Sequence, residues 1–359
     1  MRKYPFLFSA NQAILATRMF QNNTQLKSYA VNHLYKSIFT VIAILYCQSI
    51  FAQVKWGNVN QQFGVLPAGF NVFKTSDSLD GKPFVAYYAI ANLKNKKLRF
   101  TADTTLKRRL TPLKFYEKNG QPLLVVNTTF FSFETNSSLN IVIKNGKLVG
   151  HNIHTIAGKG KDTLTYRHPF TGAIGISKKR TADIAWILTD STQKSAYASQ
   201  QSVNFLKDSL QYEPFKKLMT GGTESNNEPA PNFKKWKMQT AVGGGPVLVQ
   251  NGLVSISNNE EIKFTGKAID DQHPRTLMGY TKDNQLIVMV IEGRNPGLAA
   301  GANLTQAAKL MMDVGCIEAI NLDGGGSSCM LVNGKETIWP SDKGAERAVP
   351  AVFMIQYNQ

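Results

Sequence analysis

Three Asn-Gly pairs, Asn145-Gly146, Asn251-Gly252 and Asn333-Gly334, each lie between short apolar runs. Asn and Gly tolerate the positive φ angles of a two-residue hairpin turn, so each pair reverses the chain and forces two strands side by side. The runs around the first two extend over 139–149 and 247–256, and Met330 to Val332 leads into the third. Other strand-like stretches are Phe84 to Ile90, Lys97 to Phe100, Pro122 to Val126, Ile317 to Leu322 and Val349 to Tyr357. The segment beginning at Arg275 turns near Asp283-Asn284 and returns as Leu286 to Ile291. Two helices are predicted. Thr111, Pro112 and Gly120 supply an N-cap, a first-turn proline and a terminating glycine. Asn303 and Gln306 form a capping-box pattern ahead of Leu304, Ala307, Ala308, Leu310, Met311 and Val314, and Gly315 ends the helix. Hairpins with a few helices predict an α+β fold of mixed or antiparallel sheets.

The 359 residues are 43% hydrophobic and 18% charged, the composition of a folded chain. Lys and Arg number 41 against 24 Asp and Glu, a net charge of +17 that calls for an anionic partner. Residues 1–52 read as a secretory signal with a long n-region, in which Met19 is an alternative start. Lys36 precedes an apolar run from Ile38 to Leu45, too short to span a bilayer, and cleavage is expected after Ala52. Bulky Tyr46 before Cys47 disfavours lipid attachment. Removing the leader takes away five basic residues and no acid, leaving about +12. The mature chain, 53–359, is expected to form one domain, exported to the periplasm or extracellular space, with no stable membrane insertion and no nucleic-acid partner. Thr220 to Phe233 is nearly devoid of apolar residues and reads as a loop within that domain. Cys316 and Cys329 remain as a disulfide or, at least as well, two buried thiols.

The run Asp323, Gly324, Gly325, Gly326, Ser327, Ser328 carries the strongest hint of chemistry. Successive glycines at a strand end let backbone amides converge on an anion, with two hydroxyls and a carboxylate beside them. A tight turn in which glycine relieves strain is the competing reading. The run lacks the Gly-Lys-Ser/Thr ending of a phosphate-binding P-loop and the Gly-x-Ser-x-Gly spacing of an esterase elbow. Arg275, Arg294 and Arg347 sit at strand ends, where their forked guanidinium groups can gather on a phosphate or form ordinary ion pairs. The H-x-x-H pair His151 and His154 has no third ligand nearby, against a zinc site. His273 is a proton shuttle or a structural histidine, and Gly243 to Gly245 before Pro246 is a second close-approach turn.

In order along the chain stand V-N-x-x-F-F at Val126 to Phe131, G-G-G-P at Gly243 to Pro246, R-T-x-x-G at Arg275 to Gly279, and E-G-R at Glu292 to Arg294. The Asn303 helix, N-L-D-G-G-G-S-S at Asn321 to Ser328 and E-R-x-V-P at Glu346 to Pro350 follow. This ordered set resembles the phosphodiester glycosidase family over a core of about 83–355. The resemblance implies hydrolysis of a sugar-1-phosphodiester of the N-acetylglucosamine-1-phosphate type to free sugar and a phosphomonoester. It implies a glycosyl-phosphate substrate, carried on a cell-envelope polymer or other glycan. Asp323 and Glu292 are then the catalytic carboxylates, with their division of labour open. Asn127, Arg275, Arg294, Gly324, Gly325, Gly326, Ser327, Ser328 and Arg347 hold the phosphate. A divalent cation bridging Asp323 and phosphate fits the chemistry, although no ligand spacing demands a metal. Two departures bear on the pocket: Thr128-Thr129 replaces the family's Gly-Gly, and Glu292 replaces its usual Asp. The alternative is an exported protein that binds phosphorylated glycans without cleaving them.

Overall fold

The computed structural model describes residues 54–208 and 232–358. The leader at residues 1–52, and the Thr220–Phe233 loop up to residue 231, lie outside the described residues. The hairpins fold as their turn residues dictate. Asn145 and Gly146 take φ of 52° and 75°, Asn251 and Gly252 52° and 74°, and Asn333 and Gly334 49° and 75°. Two successive left-handed residues make the type I′ turn, whose twist matches that of the strands it joins. The turns connect Val142–Lys144 to Lys147–Gly150, Val247–Gln250 to Leu253–Val254, and Met330–Val332 to Lys335–Glu336.

Three large antiparallel sheets follow. Arg275–Thr281 lies inside an eight-stranded sheet between Gln285–Ile291 and Cys316–Asn321, and Val247–Gln250 pairs on the far side of the latter. A seven-stranded sheet centres on Thr171–Ile176, flanked by Ala182–Leu188 and Thr240–Gly243. A five-stranded sheet holds Leu124–Asn127 between Met330–Val332 and Ala351–Tyr357. Large side chains facing inward from these sheets, among them Phe70, Trp186, Phe170 and Phe353, form a continuous core.

The architecture corrects the α+β expectation: the fold is mostly β, with two α-helices among the described residues. Both begin where their caps place them. Thr111 accepts a hydrogen bond from the Lys114 amide at 3.3 Å at the start of Pro112–Lys118. Asn303 and Gln306 close a reciprocal capping box, at 2.8 and 2.9 Å, on Leu304–Asp313. Each helix covers one patch, the first burying Phe115 and the second Leu304, Ala307, Ala308, Leu310 and Met311. Capping signals locate helix ends well, but they carry no information on how much of the core helices supply. Here packed sheets supply nearly all of it.

Three of the turns at which the chain passes between sheets converge. The chain leaves the five-stranded sheet after Asn127 and enters the seven-stranded one at Val142. It crosses to the eight-stranded sheet through Gly243–Pro246, which includes a cis Gly245-Pro246 bond, and returns to the five-stranded sheet through Asp323–Cys329. Buried backbone groups at such crossings need partners, and the three turns provide them for one another. The Asp323 amide donates to Thr128 O at 2.7 Å and the Asn127 amide to Cys329 O at 3.3 Å. The Gly245 amide donates to Asn321 O at 2.7 Å, and the Asn321 amide to Pro246 O at 3.0 Å.

Candidate active site

Asp323 stands at this three-sheet junction, one residue beyond the strand-like extension of Cys316–Asn321. Its backbone is held from both sides, because the Asn127 Nδ2 also donates to Asp323 O at 2.6 Å. Asn127 is itself fixed by Thr276 Oγ1 at 2.8 Å and the Cys329 amide at 3.1 Å. Asn127 therefore positions Asp323, and its side chain is fully engaged in doing so.

The three glycines have a geometric reason. A Cβ on Gly326 would lie 2.2 Å from an Arg347 guanidinium nitrogen, and one on Gly325 would lie 3.3 Å from both terminal nitrogens of Arg294. One on Gly324 would meet Pro274 O at 2.8 Å. Gly325 also sits at φ 61°, where glycine avoids the penalty a Cβ would bring. The amides of Gly325, Ser327 and Ser328 donate within or next to the turn, to Pro274, Gly324 and Gly325 carbonyls. The glycines thus serve mainly to seat two arginines directly against the backbone beside Asp323.

The three arginines differ. Arg347 keeps its Nε on Asp342 at 2.9 Å and leaves the rest of its fork over Gly326. Arg294 is exposed and meets His273 Nδ1 at 3.3 Å, so His273 orients it. Arg275 is only 3% exposed, with Nε on Ala302 O at 2.9 Å and an Nη on Asp271 O at 3.3 Å. Burial, and then the neighbouring Arg294 charge, push Arg275 down to about 10. Its role is to brace the loops with its fork while adding positive charge beneath the site.

Glu292 is brought to the same end of the sheet but not against Asp323. Arg275 pairs with Ile291 on one side and its strand pairs with Cys316–Asn321 on the other, which separates the two acidic positions by two strand spacings, about 10 Å. Both Glu292 oxygens are engaged, one by Asn295 Nδ2 at 2.9 Å and one by the Trp339 amide at 3.1 Å. Trp339 is 61% exposed at the rim. On another side of Arg347 is Phe133, 64% exposed, with the Arg347 and Arg109 guanidinium carbons 5.5 and 5.2 Å from its ring centroid.

Sequence reading passed over Lys263. It follows the Val247–Val254 hairpin in a stretch with no distinctive spacing, and its only trace is the Gly245 that its side chain requires. A Cβ on Gly245 would meet Lys263 Cε at 2.6 Å and Glu261 Oε2 at 2.1 Å. Lys263 is half-buried, its ammonium 4.4 Å from the Phe130 ring centroid. Burial pushes it down to about 8, against the pull of Glu261 and Asp323. Glu261 is wholly structural: it accepts from the Gly172 and Val247 amides, Ser257 Oγ and Trp186 Nε1.

Burial pushes the Asp323 carboxyl up to about 7, against the Ser327 hydroxyl, the Arg347 and Lys263 charges and the Gly324 amide. Buried oxygens of Thr128, Thr129, Asn321, Asp323 and Ser327 have no hydrogen-bond partner of normal geometry. Orphaned buried polar atoms cost about 1–3 kcal/mol each, and such a concentration in one place marks a site shaped for a ligand. Ser328 Oγ, by contrast, is hydrogen-bonded to Thr276 Oγ1 at 3.3 Å. Around Asp323 stand cations and hydroxyls, and among the described residues no three His, Cys, Asp or Glu side chains converge. That donor set suits an anion. The His151 and His154 pair makes no metal centre: the Thr189 amide donates to His154 Nε2 at 2.9 Å, so Nδ1 carries the proton given to Pro169 O at 3.1 Å. Cys316 and Cys329 are both buried and free.

Comparison with known proteins identifies the family and the fold. The phosphodiester glycosidase family matches residues 120–356. The N-acetylglucosamine-1-phosphodiester alpha-N-acetylglucosaminidase of Bos taurus is 31% identical over 103 residues, which is 26% of this chain and 19% of that protein's length. The chain thus aligns with only about a fifth of that curated relative. Among solved structures, the catalytic domain of the zebrafish N-acetylglucosamine-1-phosphodiester alpha-N-acetylglucosaminidase, auto-inhibited by its pro-peptide, superposes with a TM-score of 0.52. It is 20% identical, covering 87% of this chain and 92% of that one. A hypothetical protein from Synechocystis superposes with a TM-score of 0.55 at 14% identity, covering 85% of this chain and 64% of that one. These two likenesses show the fold.

Proposed function

Because this chain belongs to the phosphodiester glycosidase family, we propose that it hydrolyses a sugar-1-phosphodiester of the N-acetylglucosamine-1-phosphate type, with Asp323 as the carboxylate at the anomeric carbon. The observation that carries the reading is the meeting of a buried carboxylate oxygen without a partner and two guanidinium groups seated on successive glycines of the same turn. Phosphate bound by Arg294 and Arg347 puts the C1–O bond beside Asp323. As that bond breaks, its electron pair leaves on the phosphate, which departs as an anion without needing a proton. The arginines receive the charge in a site that is already organised for it. Positive charge developing on the sugar ring is stabilised by Asp323, which takes a proton from the water whose oxygen ends on C1. Lys263 and Arg347 favour the ionised form of Asp323 that this role requires. Glu292 supports the rim through Trp339 and Asn295.

A protein that only bound phosphorylated glycans would use the same arginines. It would gain nothing from a carboxylate beside them, since like charge opposes an anionic ligand. The test is release of free sugar from a panel of sugar-1-phosphodiesters that includes an N-acetylglucosamine-1-phosphodiester. Release of sugar together with a phosphomonoester supports the reading. Tight binding of the panel with no release would replace it by the binding-protein alternative.

A further inference from the structure

At the opposite end of the seven-stranded sheet is a second concavity of about 240 Å³, lined by Lys178, Lys194, Lys235 and Lys237 over a floor that includes Trp236 and Met238. The strand register fixes its separation from Asp323. Thr171–Ile176 begins at the junction, where the Gly172 carbonyl accepts from the Gly244 amide, and ends two residues before Lys178. Its partner Thr240–Gly243 runs the other way, from the cleft to the glycine turn. Six residues of strand at about 3.3 Å each put the cleft about 20 Å from the junction.

All four lysines are exposed, and no acidic residue lines the cleft. None of the four has a carboxylate partner among the described residues, whereas Lys118 and Lys144 pair with Asp103 and Lys207 with Asp162. Four ammonium groups around one depression repel one another within a Debye length, about 8 Å at physiological salt. Such an arrangement raises the local concentration of anions. The floor decides among anions. Trp236 is only 7% exposed and its Nε1 is tied to Asp183 at 2.6 Å, so its ring offers the cleft too little face for base stacking. Met238 is half-buried, and the small apolar floor suits the C–H face of a sugar.

We propose that this lysine cleft is a second binding site, separate from the Asp323 site, for the anionic backbone of a phosphate-bearing glycan polymer. The proposal rests on the phosphodiester reading for its ligand class. A polymer held there keeps its ends and branches near the Asp323 turn, so the cleft raises the effective concentration of polymer-borne substrate and does nothing for a short one.

The experiment uses the full chain and, as the polymer probe, poly(glycerol phosphate) carrying N-acetylglucosamine side groups. It compares the wild type with the combined Lys178→Gln, Lys194→Gln, Lys235→Gln, Lys237→Gln variant. A charge-matched control replaces the exposed Lys55, Lys96, Lys161 and Lys282 by Gln. The cleft variant is expected to bind the polymer at least tenfold more weakly and with a shallower salt dependence, by at most about 0.7 in the log–log slope per lysine if the polymer behaves as a single-stranded polyanion. The control should bind as the wild type does, and KM for a short sugar-1-phosphodiester should be the same in all three. Equal weakening in the control, no weakening in the cleft variant, or no binding by the wild type overturns the proposal. So does single-stranded DNA of matched charge bound as tightly through the same lysines. Polymer binding lost only in the cleft variant, in a protein that hydrolyses no phosphodiester, would retain the cleft and remove the catalytic reading.

Discussion

At the scale of single residues, the proposed mechanism makes Asp323 and Lys263 a linked pair whose titrations set when the site is competent. Asp323 works ionised, and burial holds its carboxyl up at about 7. Lys263 works as an ammonium, and burial holds it down at about 8. Activity should therefore rise with pH through about 7 as Asp323 loses its proton, and fall above about 8 as Lys263 loses its own. Replacing Lys263→Arg preserves the charge at high pH, so the alkaline fall should disappear from a kcat/KM profile. Lys263→Met removes the charge that favours ionised Asp323 and should move the acid limb upward by about one pH unit, roughly 1.4 kcal/mol. A profile flat from pH 5 to 9 would contradict both roles. Glu292 belongs to a different class of residue. Both of its oxygens hold rim groups, so Glu292→Gln should change KM more than kcat and leave kcat within about tenfold of the wild type, well short of the loss expected for a positioned acid or base. A loss in kcat matching that of an Asp323 variant would restore Glu292 as a second catalytic carboxylate. Neither assignment is legible in the sequence. Lys263 reaches the site only because its loop packs against the distant Gly245 turn, and E-G-R looks equally catalytic whichever way the Glu292 side chain is bonded.

At the scale of elements, the glycine turn and the long helix illustrate two kinds of local signal. The capping box of Leu304–Asp313 is written in adjacent residues and forms as written. Asn303→Ala should lower stability by about 1 kcal/mol, seen as a shift in the chemical denaturation midpoint, with kcat unchanged. The turn at Asp323–Ser328 is written just as plainly, but its purpose depends on what approaches it. Three glycines admit an amide nest, strain relief or a close neighbour, and only the folded chain shows Arg294 and Arg347 filling the space. Gly326→Ala should accordingly displace the Arg347 guanidinium and raise KM for a phosphodiester at least tenfold, with a smaller change in kcat. The same replacement in a turn with open space, Gly252→Ala, carries only the backbone penalty of its φ of 74° and should leave KM as it is. Equal KM effects from both would mean that the close packing on Gly326 has no bearing on the phosphate.

At the scale of the whole molecule, the sequence makes the pieces legible more readily than their assembly. The hairpins, both helices and the ordered motifs are local, and each is present at its expected position. The fold class is a property of proportions, and the two helices, though clearly signalled, cover sheets that pack mainly on one another. The junction is more distant still from local sequence. Asn127, Gly245 and Asp323 lie on turns far apart in the chain, and they meet because the chain changes sheets at all three. The central claim is that this meeting point carries out chemistry on a sugar-1-phosphodiester. Asp323→Asn tests it most directly, because the change removes charge with little change in volume. The measurement is the rate of free sugar release from an N-acetylglucosamine-1-phosphodiester under saturating substrate, with substrate binding followed in parallel. The account predicts that kcat falls by about two to four orders of magnitude while the substrate is still bound. Turnover within a few-fold of the wild type would contradict it.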